Sequence, residues 1–154
     1  MEINIVIFIN LLLYAVVVSQ PFIYMIALGD VQRNLQPNTY IELRKLLDKN
    51  FRKKYTWVIY TSLVSSTLLT VLCMAQPDCL MFITAAIAWI VLIMEIFWAV
   101  KGNRPINKII NSWTENNYPT NWNEYRISWF RIYAKRQIVN IIGFLSLLAG
   151  VVFG

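Results

Sequence analysis

Residues 101–140 read KGNRPINKIINSWTENNYPTNWNEYRISWFRIYAKRQIVN, and the fold turns on what this stretch joins. The flanking residues 79–100 and 137–153 are apolar and contain a single charged side chain, Glu95. About 20 apolar residues suffice for a helix to cross the ~30 Å hydrocarbon core of a bilayer. The stretch is therefore a loop between two membrane spans, together with the entry to the second. In its latter half Trp122, Arg126, Trp129, Tyr133, Arg136 and Asn140 follow one another at intervals of 4, 3, 4, 3 and 4. On a helix that spacing sets all six on one stripe. A plain span needs only apolar residues, so the aromatic and arginine stripe marks where a site should be sought.

The same alternation extends through the chain. Hydrophobic residues make up 58% and charged residues 14%, against ~45–50% and ~25% in soluble domains; mean hydropathy is +0.52. All 14 Lys and Arg fall within residues 33–54 and 101–136. Basic residues gathered in alternate loops predict that both loops are cytoplasmic and that both termini face the other side. In a bacterium the membrane would be the inner one. The net charge of +6 thus belongs to membrane topology, and no nucleic-acid partner is expected. Met1-Glu2 offers no basic leader and no small-residue cleavage site follows, so the first span should persist.

The fold class that follows is all-α: one membrane domain, a polytopic antiparallel bundle of four transmembrane helices at about residues 3–28, 55–75, 79–100 and 136–153. Gln20-Pro21 should kink the first span, and residues 29–37 read as a connector. Thr39 with Glu42 is a capping box that starts a helix over about 39–53. Tyr40, Leu43, Leu47 and Phe51 share one face of it, with Glu42, Lys45, Asp48, Lys49 and Arg52 opposite. This is either an amphipathic helix lying in the cytoplasmic interface or a helix packed on the bundle end. Thr61, Ser62, Ser65, Ser66 and Thr67 suit close helix–helix approach in the second span. Gln76-Pro77-Asp78 is a tight turn flanked by Cys73 and Cys79, which could be two buried thiols or, in an oxidising compartment, a disulfide. Asn103 or Arg104, with Pro105 in the first turn, caps a loop helix over about 104–115. Its apolar face is Ile106, Ile109, Ile110 and Trp113. Asn121 with Glu124 resembles a capping box for the last helix.

Several chemistries are excluded. With no histidine and two cysteines, the commonest general base and the usual metal ligands are missing, and no cofactor or metal is expected. There is no Gly-rich phosphate loop, nucleophile elbow or HExxH motif. What remains is polar residues at matching depth. Glu95 stands six residues before Lys101, about 9 Å in from the charged end. Gln20, Asn140 and Tyr60 come to similar depth in the other spans, so one polar layer is expected. Glu95 could anchor a ligand or accept a proton, with Arg136 or Arg126 binding an anionic group and Trp129 and Tyr133 as walls. The alternative is a Glu95–Arg136 salt bridge that only holds the bundle together.

Arg104-Pro105-Ile106-Asn107, Trp113, Trp122, Arg126, Trp129 and Arg136 resemble the C-terminal half of the anthrone-oxygenase-like family of small four-helix membrane proteins. That family shows Pro-x-Asn after the third span, then a Trp, an Arg ahead of a second Trp, and an Arg seven residues beyond it. The likeness covers residues 102–153. It implies a four-helix membrane fold with Pro105, Asn107, Trp129 and Arg136 as family positions, and oxygenase chemistry on anthrones without bound metal or flavin. Where many relatives carry Asn-His before the last Arg, Tyr133 and Ala134 stand here. Two functions are consistent with these readings. One is a protein that binds or transforms a small lipophilic, anionic molecule at the cytoplasmic mouth of the bundle. The other is a non-catalytic subunit or scaffold that docks a membrane-protein partner, or another copy of itself, through its basic loops and aromatic stripe.

Overall fold

The computed structural model describes residues 3–75, 79–114 and 117–154. Four long helices account for most of them: α1 Ile3–Asn34, α2 Pro37–Cys73, α3 Leu80–Ser112 and α4 Trp122–Phe153, each long and apolar enough to cross a membrane. The direction of each follows from its contacts. Asn10 of α1 donates to Ser66 Oγ of α2 at 2.9 Å, while further along α1 Tyr24 meets Arg44, earlier in α2. Gly150 of α4 abuts Thr84 of α3, while Arg136 meets Glu95 and the Trp129 carbonyl meets Asn103. Neighbours in sequence therefore run antiparallel. The tightest pairing is α3 with α4, and α1 packs on both α2 and α4.

Small residues permit this closeness. A Cβ on Gly143 would overlap the Tyr14 hydroxyl and Val91 at once, so α4 meets α1 and α3 at a residue without a side chain. Tyr14, fully buried, donates to the Ala88 carbonyl at 3.0 Å. Ser62 and Ser66 are buried as the close-approach reading requires. Thr61 and Thr67 lie on the exposed side of α2 and return their hydroxyls to their own backbone.

Two cores result. One, around Val6, Tyr14, Leu69, Ala88, Leu92 and Leu147, lies among the apolar spans. The other, at the charged end, is mainly aromatic: Tyr24, Tyr40, Trp113, Trp129, Phe130 and Tyr133, with Ile41 and Ile110. At 1.5 Å per residue α2 is ~55 Å long, well beyond a ~30 Å hydrocarbon layer. The helices thus continue past the spans and pack a second core where charge is cheap.

That continuity corrects the expected boundaries. Residues 29–34 are the last turns of α1 and not a connector. They are joined to the span through a π-helical turn at Tyr24–Leu28. Pro21 lies inside the helix, three residues ahead of that turn. The expected interfacial helix and second span are one unbroken α-helix. It begins at Pro37 after Gln36 in place of a Thr39 cap, and it buries Tyr40, Ile41, Arg44 and Asp48 rather than the Leu43 and Phe51 face. The loop helix, Arg104–Ser112, is continuous with the third span through a second π turn, Ala99–Asn103. Asn103 has helical backbone angles and caps nothing. The last helix starts as expected, but Asn121 donates its amide to the Glu124 carboxylate at 3.2 Å and makes no side-chain cap to the backbone. Cys73 and Cys79 are free thiols, so the disulfide is not formed. The expected turn at Gln76-Pro77-Asp78 lies outside the described residues.

Candidate functional site

The stripe first read on the last helix faces inward. Trp129, Tyr133, Arg136 and Asn140 are buried, and Trp122 and Arg126 half-buried. Each meets a specific neighbour. The Trp129 ring stacks on Tyr133 with centroids 4.7 Å apart, and Tyr24 packs on Tyr133 at 4.6 Å. The Arg44 guanidinium lies 3.8 Å over the face of Trp129, a separation at which a desolvated cation–π contact contributes ~2 kcal/mol. Trp129 Nε1–H donates to Asn107 Oδ1 at 2.9 Å, and Arg44 Nη2 donates to the same oxygen at 3.2 Å. The Asn107 and Asn111 amides donate to the two Asp48 oxygens at 3.0 and 2.9 Å. Asp48 also pairs with Arg52 at 3.2 Å. Three helices are thereby tied around one indole.

About two turns further along α4 lies the ion pair. Arg136 Nε donates to both Glu95 oxygens at 3.1 and 3.0 Å, and Nη2 to Oε1 at 2.6 Å. Its Nη1 donates to Asn103 Oδ1 at 2.9 Å, and Asn103 in turn donates to the Trp129 carbonyl at 3.0 Å. Glu95 is 1% and Arg136 8% exposed. Charges this far from water persist only when paired and hydrogen-bonded.

Beside this pair is a cavity of about 390 Å³. Glu95, Arg136, Trp129 and Tyr133 form its buried wall, and Arg44, Asn103 and Asn107 line it towards the charged end. Val16, Gln20 and Ile23 of α1 face Phe51, Tyr55 and Tyr60 of α2 across it. Val16, Ile23, Phe51 and Tyr60 are all exposed, so the cavity is open to the outside, and through Arg52, Thr56, Tyr60, Val100 and Arg104 its lining continues to the α2–α3 side. Both π turns contribute, Tyr24 and Leu28 from one, Ala99, Val100 and Asn103 from the other; single π turns inside α-helices recur at functional sites.

Several polar atoms at this wall are unmatched. Among the described residues, the buried Tyr55 and Tyr133 hydroxyls and Arg44 Nε have no hydrogen-bond partner. All three residues line the cavity. Gln20 lines it too, and its side chain makes no hydrogen bond to protein among the described residues.

The expected site residues divide accordingly. Glu95, Gln20, Trp129, Tyr133 and Arg136 are brought together around one space, with Tyr60 at its rim. Asn140 is buried and does not line it, its side-chain oxygen also without a partner among the described residues. Arg126 stands apart: it donates to the Leu35 carbonyl at 2.9 Å, at the end of α1, and lies over Trp122 and Tyr40. Trp113 belongs to the aromatic core, where Lys45 donates to its carbonyl. Pro105 opens the second segment of α3 on the outer surface. Sequence reasoning missed Tyr24, Arg44, Asp48 and Asn103. Arg44 and Asp48 are four apart on the stripe of Tyr40 and Ile41, and that period was the available signal. In sequence Asp48 reads as part of the charged face by its charge, and Arg44 is assigned to neither face.

Comparison with known proteins returned no match, whether to a family model, a curated protein or a solved structure. The likeness to the anthrone-oxygenase-like family therefore rests on the motif residues alone.

Proposed function

We propose that this membrane protein binds a small amphipathic molecule in the cavity beside Glu95 and Arg136. The ligand would enter from the bilayer between α1 and α2 and present acceptor oxygens to the wall. The observation that carries this reading is one mostly apolar cavity lined by Tyr55, Tyr133 and Arg44, each of which holds a buried donor without a hydrogen-bond partner among the described residues. A buried donor left unmade costs ~1–3 kcal/mol, and an acceptor-bearing guest that draws these side chains towards the cavity would offset that cost. The volume falls in the ~300–1,000 Å³ range of small-molecule sites. Arg136 is already engaged by Glu95 and Asn103, so its role is to hold the wall, and the anion-binding role passes to Arg44.

The anthrone-oxygenase-like resemblance adds to this reading, since Asn107, Trp129 and Arg136 line the cavity. Chemistry of that kind would have to proceed here without histidine. The scaffold reading draws less support, because the aromatic stripe it would use for docking is occupied within the chain.

Removing the two hydroxyls tests the proposal. Tyr55→Phe with Tyr133→Phe keeps both rings and deletes only donors that have no protein partner. In mild detergent the double variant should melt at or above the parent temperature, yet bind a medium-chain fatty acid probe about tenfold less tightly by native mass spectrometry. Parent protein that retains no probe, or a variant that retains it equally, overturns the proposal.

A further inference from the structure

A second recess lies on the outside of the bundle, where α2 and α3 leave the membrane. One face of α2 supplies Lys49, Arg52, Lys53, Thr56, Trp57 and Tyr60, at i, i+3, i+4, i+7, i+8 and i+11. The facing side of α3 supplies Val100, Arg104, Pro105 and Lys108, at i, i+4, i+5 and i+8. Between them is an open groove of about 950 Å³. It is walled by five cations and no carboxylate. Among the described residues only Arg52 has an acidic partner, Asp48. Among these same described residues Lys49, Lys53, Arg104 and Lys108 make no ion pair. Like charges gathered at one recess repel one another unless a counter-charge sits between them.

The groove is graded along its length. Its outer half is Lys49, Lys53 and Lys108; its inner half is Trp57, Tyr60 and Val100, on the apolar spans, with Trp57 66% exposed. Aromatic residues at this height mark the headgroup level of a bilayer. A soluble anion would use the charged half and leave the aromatic half idle. A phospholipid uses both, with phosphate among the lysines and acyl chains running down past Trp57 and Tyr60. Basic pockets between transmembrane helices are recognised binding places for multiply charged lipid headgroups.

We propose that this groove holds the headgroup of an anionic phospholipid carrying at least two negative charges. The groove adjoins the inner cavity and shares Arg52, Thr56, Tyr60, Val100 and Arg104 with it, but Lys49, Lys53 and Lys108 line only the groove, and Tyr133 and Tyr55 only the cavity. The two proposals can therefore fail independently.

The test uses the full chain in mild detergent, titrated with cardiolipin or with phosphatidylcholine and read by native mass spectrometry. Cardiolipin should bind at least tenfold more tightly. Each surface lysine near a phosphate is worth about a fivefold change, so Lys49→Gln, Lys53→Gln and Lys108→Gln together should weaken cardiolipin on the order of a hundredfold. The corresponding three Lys→Arg changes should preserve binding, which separates charge from folding. Tyr55→Phe with Tyr133→Phe should leave cardiolipin untouched. Equal binding of phosphatidylcholine, or unchanged binding in the glutamine variant, overturns the proposal. So does loss confined to the tyrosine variant, which would place the lipid in the cavity. Displacement of cardiolipin by an equal concentration of pyrophosphate would identify a free-anion site and overturn it as well.

Discussion

Arg136 makes four hydrogen bonds, three to Glu95 and one to Asn103, and with them it spans α3 at two levels one helix turn or more apart. Few side chains could substitute: lysine offers a point charge, whereas the guanidinium fork matches a carboxylate and still reaches a further acceptor. Glu95→Gln would leave the Arg136 charge buried against a neutral partner and should destabilise the protein by about 3–5 kcal/mol. Replacing both, as Glu95→Leu with Arg136→Met, should recover most of that loss, since no charge then remains buried. Denaturant unfolding in micelles measures both; a single variant as stable as the parent would show that the pair is solvated. A lone acid inside a span already pointed to a partner or a cavity. Both are present, and only the folded arrangement could reveal that the two coexist.

At the scale of elements, the helices are longer and less regular than their hydropathy suggests. The π turns at Tyr24–Leu28 and Ala99–Asn103 carry Tyr24 and Asn103 to the two sides of Trp129, one to its partner ring Tyr133 and the other to its carbonyl. Glycine is part of how the second is accommodated. A Cβ on Gly102 would come 2.6 Å from Ile132 Cγ2, so α3 and α4 can close here only without it. Gly102→Ala should cost about 1–3 kcal/mol as an overpacking change, and Ile132→Ala in the same chain should restore part of it. Additive losses in that double-mutant cycle would mean the contact is not made. Boundaries were the least legible feature at this scale. Charged residues in 29–54 and 101–115 read as loop or interface, and the turns that continue the helices there are held by contacts between segments distant in sequence, such as Asp48 with Asn107 and Asn111.

For the whole molecule, four spans and a strongly one-sided charge distribution predict orientation. In a chain lacking the native thiols (Cys73→Ser, Cys79→Ser), Asn38→Cys should react with a membrane-impermeant maleimide only from the cytoplasmic side, and Gly154→Cys only from the other. The reverse pattern would invert the topology. The number of spans, their antiparallel order and the segregation of charge were all determined by the sequence, because the cost of burying charge in hydrocarbon acts on each segment alone and needs no knowledge of its neighbours. That six residues of α4 share one stripe was legible for another local reason, a helical period, but not that the stripe faces inward. What only the tertiary structure decided is which polar residues meet. Arg44 lies over Trp129, Asp48 holds Asn107, and Arg126 leaves the site to bind the end of α1. These outcomes depend on helix rotation and register, which side-chain packing across three helices selects. No single segment carries that information.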